Sequence, residues 1–228
     1  RSGDSTYVSM NTGENLSALL KLSFNLFAGI RFSLLRSISD DSWFGYDHGF
    51  KYNPDGRAGS YKETNFTSFQ LNHMISPKLF YELKVSYLDN YTGNYLFKDP
   101  LDSNYVHDKY LENYGSGFFT GGQQKNHSML TMVDTTAKFD VTWQANHNHN
   151  IKLGLMGISH GVDHQWRSIR NKYDGEANQA DVYEPEIFGD TTVHADIYKV
   201  NPKEAAVYIQ DKMEFDEMVI NFGIRYDY

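Results

Sequence analysis

The sequence predicts an all-β chain of antiparallel hairpins, on three observations. Apolar and polar residues alternate with period two over several segments. Very short polar turns and long polar connections take turns between those segments. The composition favours aromatic residues, with 17 Tyr and 15 Phe against 3 Trp, alongside 18 Gly, a balance suited to strands and turns.

The first hairpin is expected over residues 15–39. Leu16, Ala18, Leu20, Leu22 and Phe24 share one face, and Ser17, Lys21, Ser23 and Asn25 the other. Past a turn at 27–29, Ile30, Phe32, Leu34 and Ile38 oppose Arg31, Ser33 and Ser37. A helix is the competing reading here, because Leu16, Leu19, Leu20, Phe24 and Phe27 also fit a 3.6-residue period. The second hairpin, 66–91, turns at Ser76-Pro77-Lys78, where proline cannot continue a ladder. Tyr81, Leu83, Val85 and Tyr87 then alternate with Glu82, Lys84 and Ser86. The third, 131–162, sets Ala137, Phe139, Val141 and Trp143 against Thr136, Lys138, Asp140, Thr142 and Gln144, turns through 146–150, and resumes with Ile151, Leu153 and Leu155. The fourth, 204–228, turns near Asp216-Glu217 and sets Met218, Ile220, Phe222, Ile224 and Tyr226 against Asn221, Gly223, Arg225 and Asp227.

The connections 40–65, 92–127 and 163–202 are longer than a compact soluble domain ordinarily holds. Roughly eight strands of ~9–11 residues, joined as four hairpins by tight turns at one end and long loops at the other, form the layout of an antiparallel up-and-down transmembrane β-barrel segment. In such a barrel the short turns are periplasmic and the long loops extracellular. Aromatic residues near the strand ends, Trp43, Phe44, Tyr91, Trp143 and Trp166, suit the two lipid interfaces, with loop or core packing as the plain alternative.

The composition excludes other classes. A formal charge of −8 with 21 scattered Lys and Arg gives no footprint for nucleic acid. With no cysteine, thiolate metal sites and cysteine nucleophiles are ruled out. No uninterrupted apolar run reaches the ~18 residues of a membrane helix. The chain starts at Arg1 without an initiator methionine or an export signal and stops at a strand end, so 1–228 is expected to be a partial barrel domain.

At the fourth hairpin the sequence becomes recognisable. Ala206-Val207-Tyr208-Ile209-Gln210-Asp211-Lys212, a short charged turn, and Val219-Ile220-Asn221-Phe222-Gly223-Ile224-Arg225-Tyr226-Asp227-Tyr228 resemble paired barrel strands of TonB-dependent receptors. The stretch from Asn72-His73-Met74-Ile75 through Ser76-Pro77-Lys78 to Leu79-Phe80-Tyr81-Glu82-Leu83 is similar to another strand-turn-strand of that family. The form looks like the large Bacteroidota members that carry a carboxypeptidase-regulatory-like domain before the plug. The resemblance implies an outer-membrane transporter for a nutrient such as a glycan, a peptide or a metal chelate. It also implies outer-membrane lipid around the barrel, a plug domain of the same parent chain inside it, TonB acting through an N-terminal part outside these residues, and in some members a surface lipoprotein. The resemblance further implies that the plug, the N-terminal region and the closing strands lie outside 1–228.

Candidate site residues fall into two groups. Lys84, Lys138, Asp140, Arg225 and Asp227 are expected to face the lumen as architecture, with Lys212, Asp211 or Glu214 as partners for Arg225 and Asp227. Trp43, Tyr46, Asp47, His48, Tyr105, Tyr110, Tyr114 and Trp166 are the loop-end candidates for substrate binding, since aromatic faces interspersed with acids suit sugars, peptides or chelates. His147, His149, His160, Asp163 and His164 invite a metal reading, but they straddle a strand end and a turn, and solvated polar positions are the expectation. No catalytic set and no cofactor motif is visible, so an enzyme is disfavoured. The alternation does not say which face turns inward, and a soluble β-sandwich or ligand-binding β-barrel is the alternative.

Overall fold

The computed structural model describes residues 7, 9–111, 117–176 and 181–228. Each expected hairpin is present as long strands: β1 (Thr12–Phe27) with β2 (Ile30–Phe44), β3 (Gly59–Ser76) with β4 (Leu79–Tyr95), and β5 (Asn126–Gln144) with β6 (His149–Ser168). After β6 come the short β7 (Arg170–Asn171), β8 (Pro185–Glu186) and β9 (Ala195–Val200), then the last hairpin, β10 (Lys203–Phe215) and β11 (Met218–Asp227). The first pair is strand throughout, so the competing helical period at 16–27 loses to the two-residue one.

One antiparallel sheet runs in the order β1-β2-β3-β4-β5-β6-β10-β11, and β9 joins it beside β6. β7 and β8 form a separate two-stranded ribbon. The sheet is not closed, and β1 and β11 are its edges. All four tight turns lie at one end, at 28–29, 77–78, 145–148 and 216–217, and the long connections 45–58, 96–125 and 169–202 lie at the other. Gly29 shows why its turn reads as it does: its φ is +83°, and a Cβ there would stand 2.7 Å from the Met74 carbonyl oxygen.

The strands are longer than expected and the loops correspondingly shorter. β6 has 20 residues, which at ~3.3 Å per residue and a tilt of ~40° rises roughly 50 Å, against an apolar band of ~25 Å. The ladder therefore continues well past any membrane, through positions such as Asp40, Glu63 and Asp89 that are polar on both faces.

Register assigns every residue to a face. Phe24, Phe32, Leu71, Leu83, Phe139, Leu155, Val207 and Tyr226 are successive cross-strand partners, one apolar row spanning the sheet. Rings on this face touch, as with Phe24 and Phe32 at 5.2 Å between centroids. Along β6 and β10 this is the more exposed side: Leu155 is 55% exposed, whereas Ala206, on the opposite face of the neighbouring strand, is 8% exposed. A soluble sheet shows the reverse, and an apolar face this broad is covered by something in the working molecule.

Candidate functional site

The polar face is built from two adjacent rows. Ser23, Ser33, Gln70, Lys84, Lys138, Met156, Ala206 and Asp227 form one. Asn25, Arg31, Asn72, Glu82, Asp140, Gly154, Tyr208 and Arg225 form the next. All five wall candidates, Lys84, Lys138, Asp140, Arg225 and Asp227, are thus brought to one face within two rows.

Their bonds form local units. Lys138 Nζ lies 2.8 Å from Asp140 Oδ2, and the Tyr208 hydroxyl donates to Asp140 Oδ1 at 2.6 Å. Arg225 Nε donates to both Asp227 oxygens, at 2.8 and 3.0 Å. The expected pairing of these two with Lys212, Asp211 or Glu214 is not what forms. Lys212 pairs with Glu214 on its own strand, and Asp211 lies on the apolar face, where its Oδ2 is 2.6 Å from His149 Nδ1. Asp227 is two residues from Arg225 on one face, so a bidentate fork needs no reach across the sheet.

The sequence puts Gly154 with Lys152 opposite Ile151, Leu153 and Leu155, but gives it no role. It lies between Asp140 and Tyr208 in the row, and a Cβ there would stand 2.0 Å from the Tyr208 ring. The missing side chain is the space through which the tyrosine reaches its acceptor. A lone glycine inside an alternating strand is the available signal.

Nearer the loop end, the histidines expected to be solvated are paired with acids on neighbouring strands. His160 Nδ1 is 2.7 Å from Asp134 Oδ1, and its Nε2 is 3.4 Å from Glu204. His164 stacks on Tyr198 at 4.9 Å and approaches Asp196 at 3.7 Å.

The loop candidates divide. Trp43 and Trp166 lie on the polar face by register, partnered with Gly13 and with Ser128, so neither faces the side where a lipid interface would be. Trp43 is 57% exposed, and its Nε1 donates to Asn11 Oδ1 at 3.2 Å. Trp143 lies on the apolar face at the turn end, and Tyr91 and Phe44 share that face at the loop end.

Tyr46, Asp47 and His48 form one platform with residues the sequence did not single out. The His48 ring sits 4.9 Å from Phe118, Tyr52 lies 5.2 Å from the same ring, and Lys51 Nζ is 5.9 Å from it. The Tyr46 hydroxyl is 2.5 Å from His48 Nδ1, and Asp47 Oδ1 accepts from the Gly49 amide at 2.9 Å. Backbone bonds from Phe119 to Gly49 and from Gln124 to Gly56, each 2.7 Å, hold loops 45–58 and 117–125 together.

Tyr105 lies elsewhere and inside. It is 3% exposed, packs edge-on against Phe97 at 4.9 Å, and burial raises its hydroxyl pKa. It belongs to a second cluster in which Lys125 Nζ lies 3.9 Å above the Tyr183 ring and 2.7 Å from Asp108. Burial lowers the Lys125 ammonium pKa, with the bond to Asp108 opposing. Tyr110 is exposed beneath Lys109, whose ammonium pairs with Asp181 and ties loops 96–125 and 169–202. Tyr114 lies outside the described residues. At the base of this cluster His127 is fully buried, stacked on Tyr95 at 5.0 Å, and burial holds its pKa below the usual imidazole value.

A sheet with one apolar face, one polar face that is the less exposed along the central strands, and loops gathered at one end belongs to the β-barrel class. The family model described as "TonB dependent receptor-like, beta-barrel" matches residues 3–228, and the chain belongs to that family. Among solved structures, the outer membrane transporter YddB from Escherichia coli is similar at 14% identity with a TM-score of 0.54. That likeness covers 100% of this chain and 29% of the transporter, so the chain spans less than a third of its length. No curated protein sequence matches.

Proposed function

We propose that the chain is part of the wall of an outer-membrane TonB-dependent transporter that takes up a nutrient. The apolar face meets lipid, the polar face lines a lumen occupied by the plug of the parent chain, and the long loops capture solute outside the cell. TonB would act on the plug through parts of the parent beyond these residues, and a surface lipoprotein is a partner of the kind found in Bacteroidota members.

The observation that carries this reading is the inverted exposure of the two faces, seen most simply in Leu155 against Ala206. Lipid is the one solvent that favours an apolar row of eight side chains, five of them exposed and none buried, while accepting a fully bonded ladder behind it. At the loop end, Tyr46, His48, Tyr52 and Phe118 offer ring faces and edges to a solute, and Trp43 adds an indole on the polar side.

The test uses the full-length parent in outer membranes. Spin labels placed through L83C and K84C are read for collision with oxygen, which concentrates in lipid, and with a water-soluble nickel complex. Label 83 is expected to favour oxygen and label 84 to be shielded from it. The opposite pattern, or a parent recovered only from the aqueous fraction, would overturn the proposal.

A further inference from the structure

We propose that the turn-end half of the polar face is a cradle for an acidic polypeptide segment held inside the barrel, built on Lys21, Arg31 and Lys84. The inference rests on the lumenal placement argued above and names the charge of what the wall holds.

The three cations line one groove of about 330 Å³ together with Ser33, Gln70 and Asn72. None of the three has an ion pair or a side-chain hydrogen bond among the described residues. Lys84 is the most exposed to the consequence. Its cross-strand partner on β5 is Lys138, and like charges placed directly opposite destabilise a sheet. Lys138 is answered by Asp140 at 2.8 Å. The carboxylate that could answer Lys84 along its own strand, Glu82, instead accepts from Gln70 Nε2 at 2.8 Å.

The excess of positive charge is local and not compositional, since the chain as a whole carries −8. Inside a closed barrel the dielectric is lower than in bulk water and repulsion between such groups grows. A passing solute would leave the wall uncompensated for most of the time, whereas a resident segment carrying Asp or Glu side chains neutralises it continuously. The amides of Gln70 and Asn72 add donors and acceptors for the backbone of such a segment.

Zero-length carbodiimide coupling tests this on the full-length parent in isolated outer-membrane vesicles, because it joins an amine only to a carboxylate in contact with it. Mass spectrometry is expected to find Lys84 or Lys21 linked to an acidic side chain of the parent's plug, and a link to an acid of another barrel strand counts against the cradle. K84R keeps the charge and should lose the Lys84 link. The variant K21Q/R31Q/K84Q should keep its folded, heat-modifiable band while the linked segment becomes at least tenfold more sensitive to added protease. Links only to acids within 1–228, links to a different protein, or no link in a parent that is present in the outer membrane would each refute the cradle. A parent missing from the outer membrane would refute the lumenal reading itself, and the cradle with it.

Discussion

The Tyr208 hydroxyl crosses the width of β6 to reach Asp140 on β5, passing over the one position in that row with no side chain, Gly154. Lys138 approaches the other oxygen of the same carboxylate. Three strands are thereby joined on the polar face by side chains as well as by the ladder.

Gly154→Ala should therefore cost more than an added methyl usually does. Its Cβ would overlap the tyrosine ring, so the ring must leave and its bond is lost, for about 1–3 kcal/mol. Tyr208→Ala should recover most of the cost of the alanine at 154, leaving the Asp140 carboxylate, 2.6 Å from that Cβ, to swing aside. A double-mutant cycle read by urea unfolding in lipid vesicles checks the coupling, and additive losses would show that the two residues act separately.

Adjacent positions should respond oppositely to one charge. Leu155→Arg places a guanidinium on the lipid side and is expected to cost roughly 2–4 kcal/mol if near the midplane. Met156→Arg, on the polar face, should fold into vesicles nearly as well as the parent. Equal losses at the two sites would contradict the assignment of faces.

The turn at Gly29 should be intolerant of any side chain. Gly29→Ala meets the Met74 carbonyl and takes a left-handed backbone, together worth roughly 1–3 kcal/mol. Gly189→Ala, where a Cβ would meet nothing within 4 Å, is the matched control. Thermal loss of the folded band on cold electrophoresis separates them.

Acid should loosen the loop base before the barrel. Burial holds His127 below its ordinary value of 6.5, so the folded state keeps the neutral imidazole while an opened loop would bind a proton. Stability from this site is complete above about 6.5 and falls as pH drops below it. Amide protection in the segment 96–127, taken as the exchange rate relative to the intrinsic rate at each pH, should fall between pH 7.5 and 5.5, and His127→Gln should flatten that response. An unchanged profile in the variant would assign the effect to other groups.

The loop aromatics should separate by role. Tyr46→Ala and Tyr52→Ala should reduce solute capture by whole cells at least tenfold without altering barrel folding. Tyr105→Ala should instead expose loop 96–125 to protease, because that ring is interior packing. Protease resistance in the Tyr105 variant would argue that the loop is held from elsewhere.

Much of the wall was legible in the sequence for a physical reason. Side chains alternate strictly on a pleated strand, so Lys84, Lys138, Asp140, Arg225 and Asp227 had to share a face once their strands were found. Glycine at 29, proline at 77 and the Asp216-Glu217 pair marked the tight turns. Strand length was not legible, because beyond lipid both faces meet water and positions such as Asp40, Asp41, Glu63 and Asn65 read like loop. The loops carry no period, so the interior place of Tyr105 and the meeting of His48 with Phe118 depend on long-range contacts that spacing does not encode. The partner of each histidine was hidden for the same reason, since Asp134 and His160 are 26 positions apart and meet only through register.

The overhang of the central strands has a mechanical consequence. A hydrogen-bonded collar standing about twice the height of the oily layer is stiff, so loops 45–58 and 96–125 ride on it instead of drifting on tethers. In the transporter proposed above, a solute held there would start already aligned with the barrel axis, and its remaining search would be a descent along one dimension.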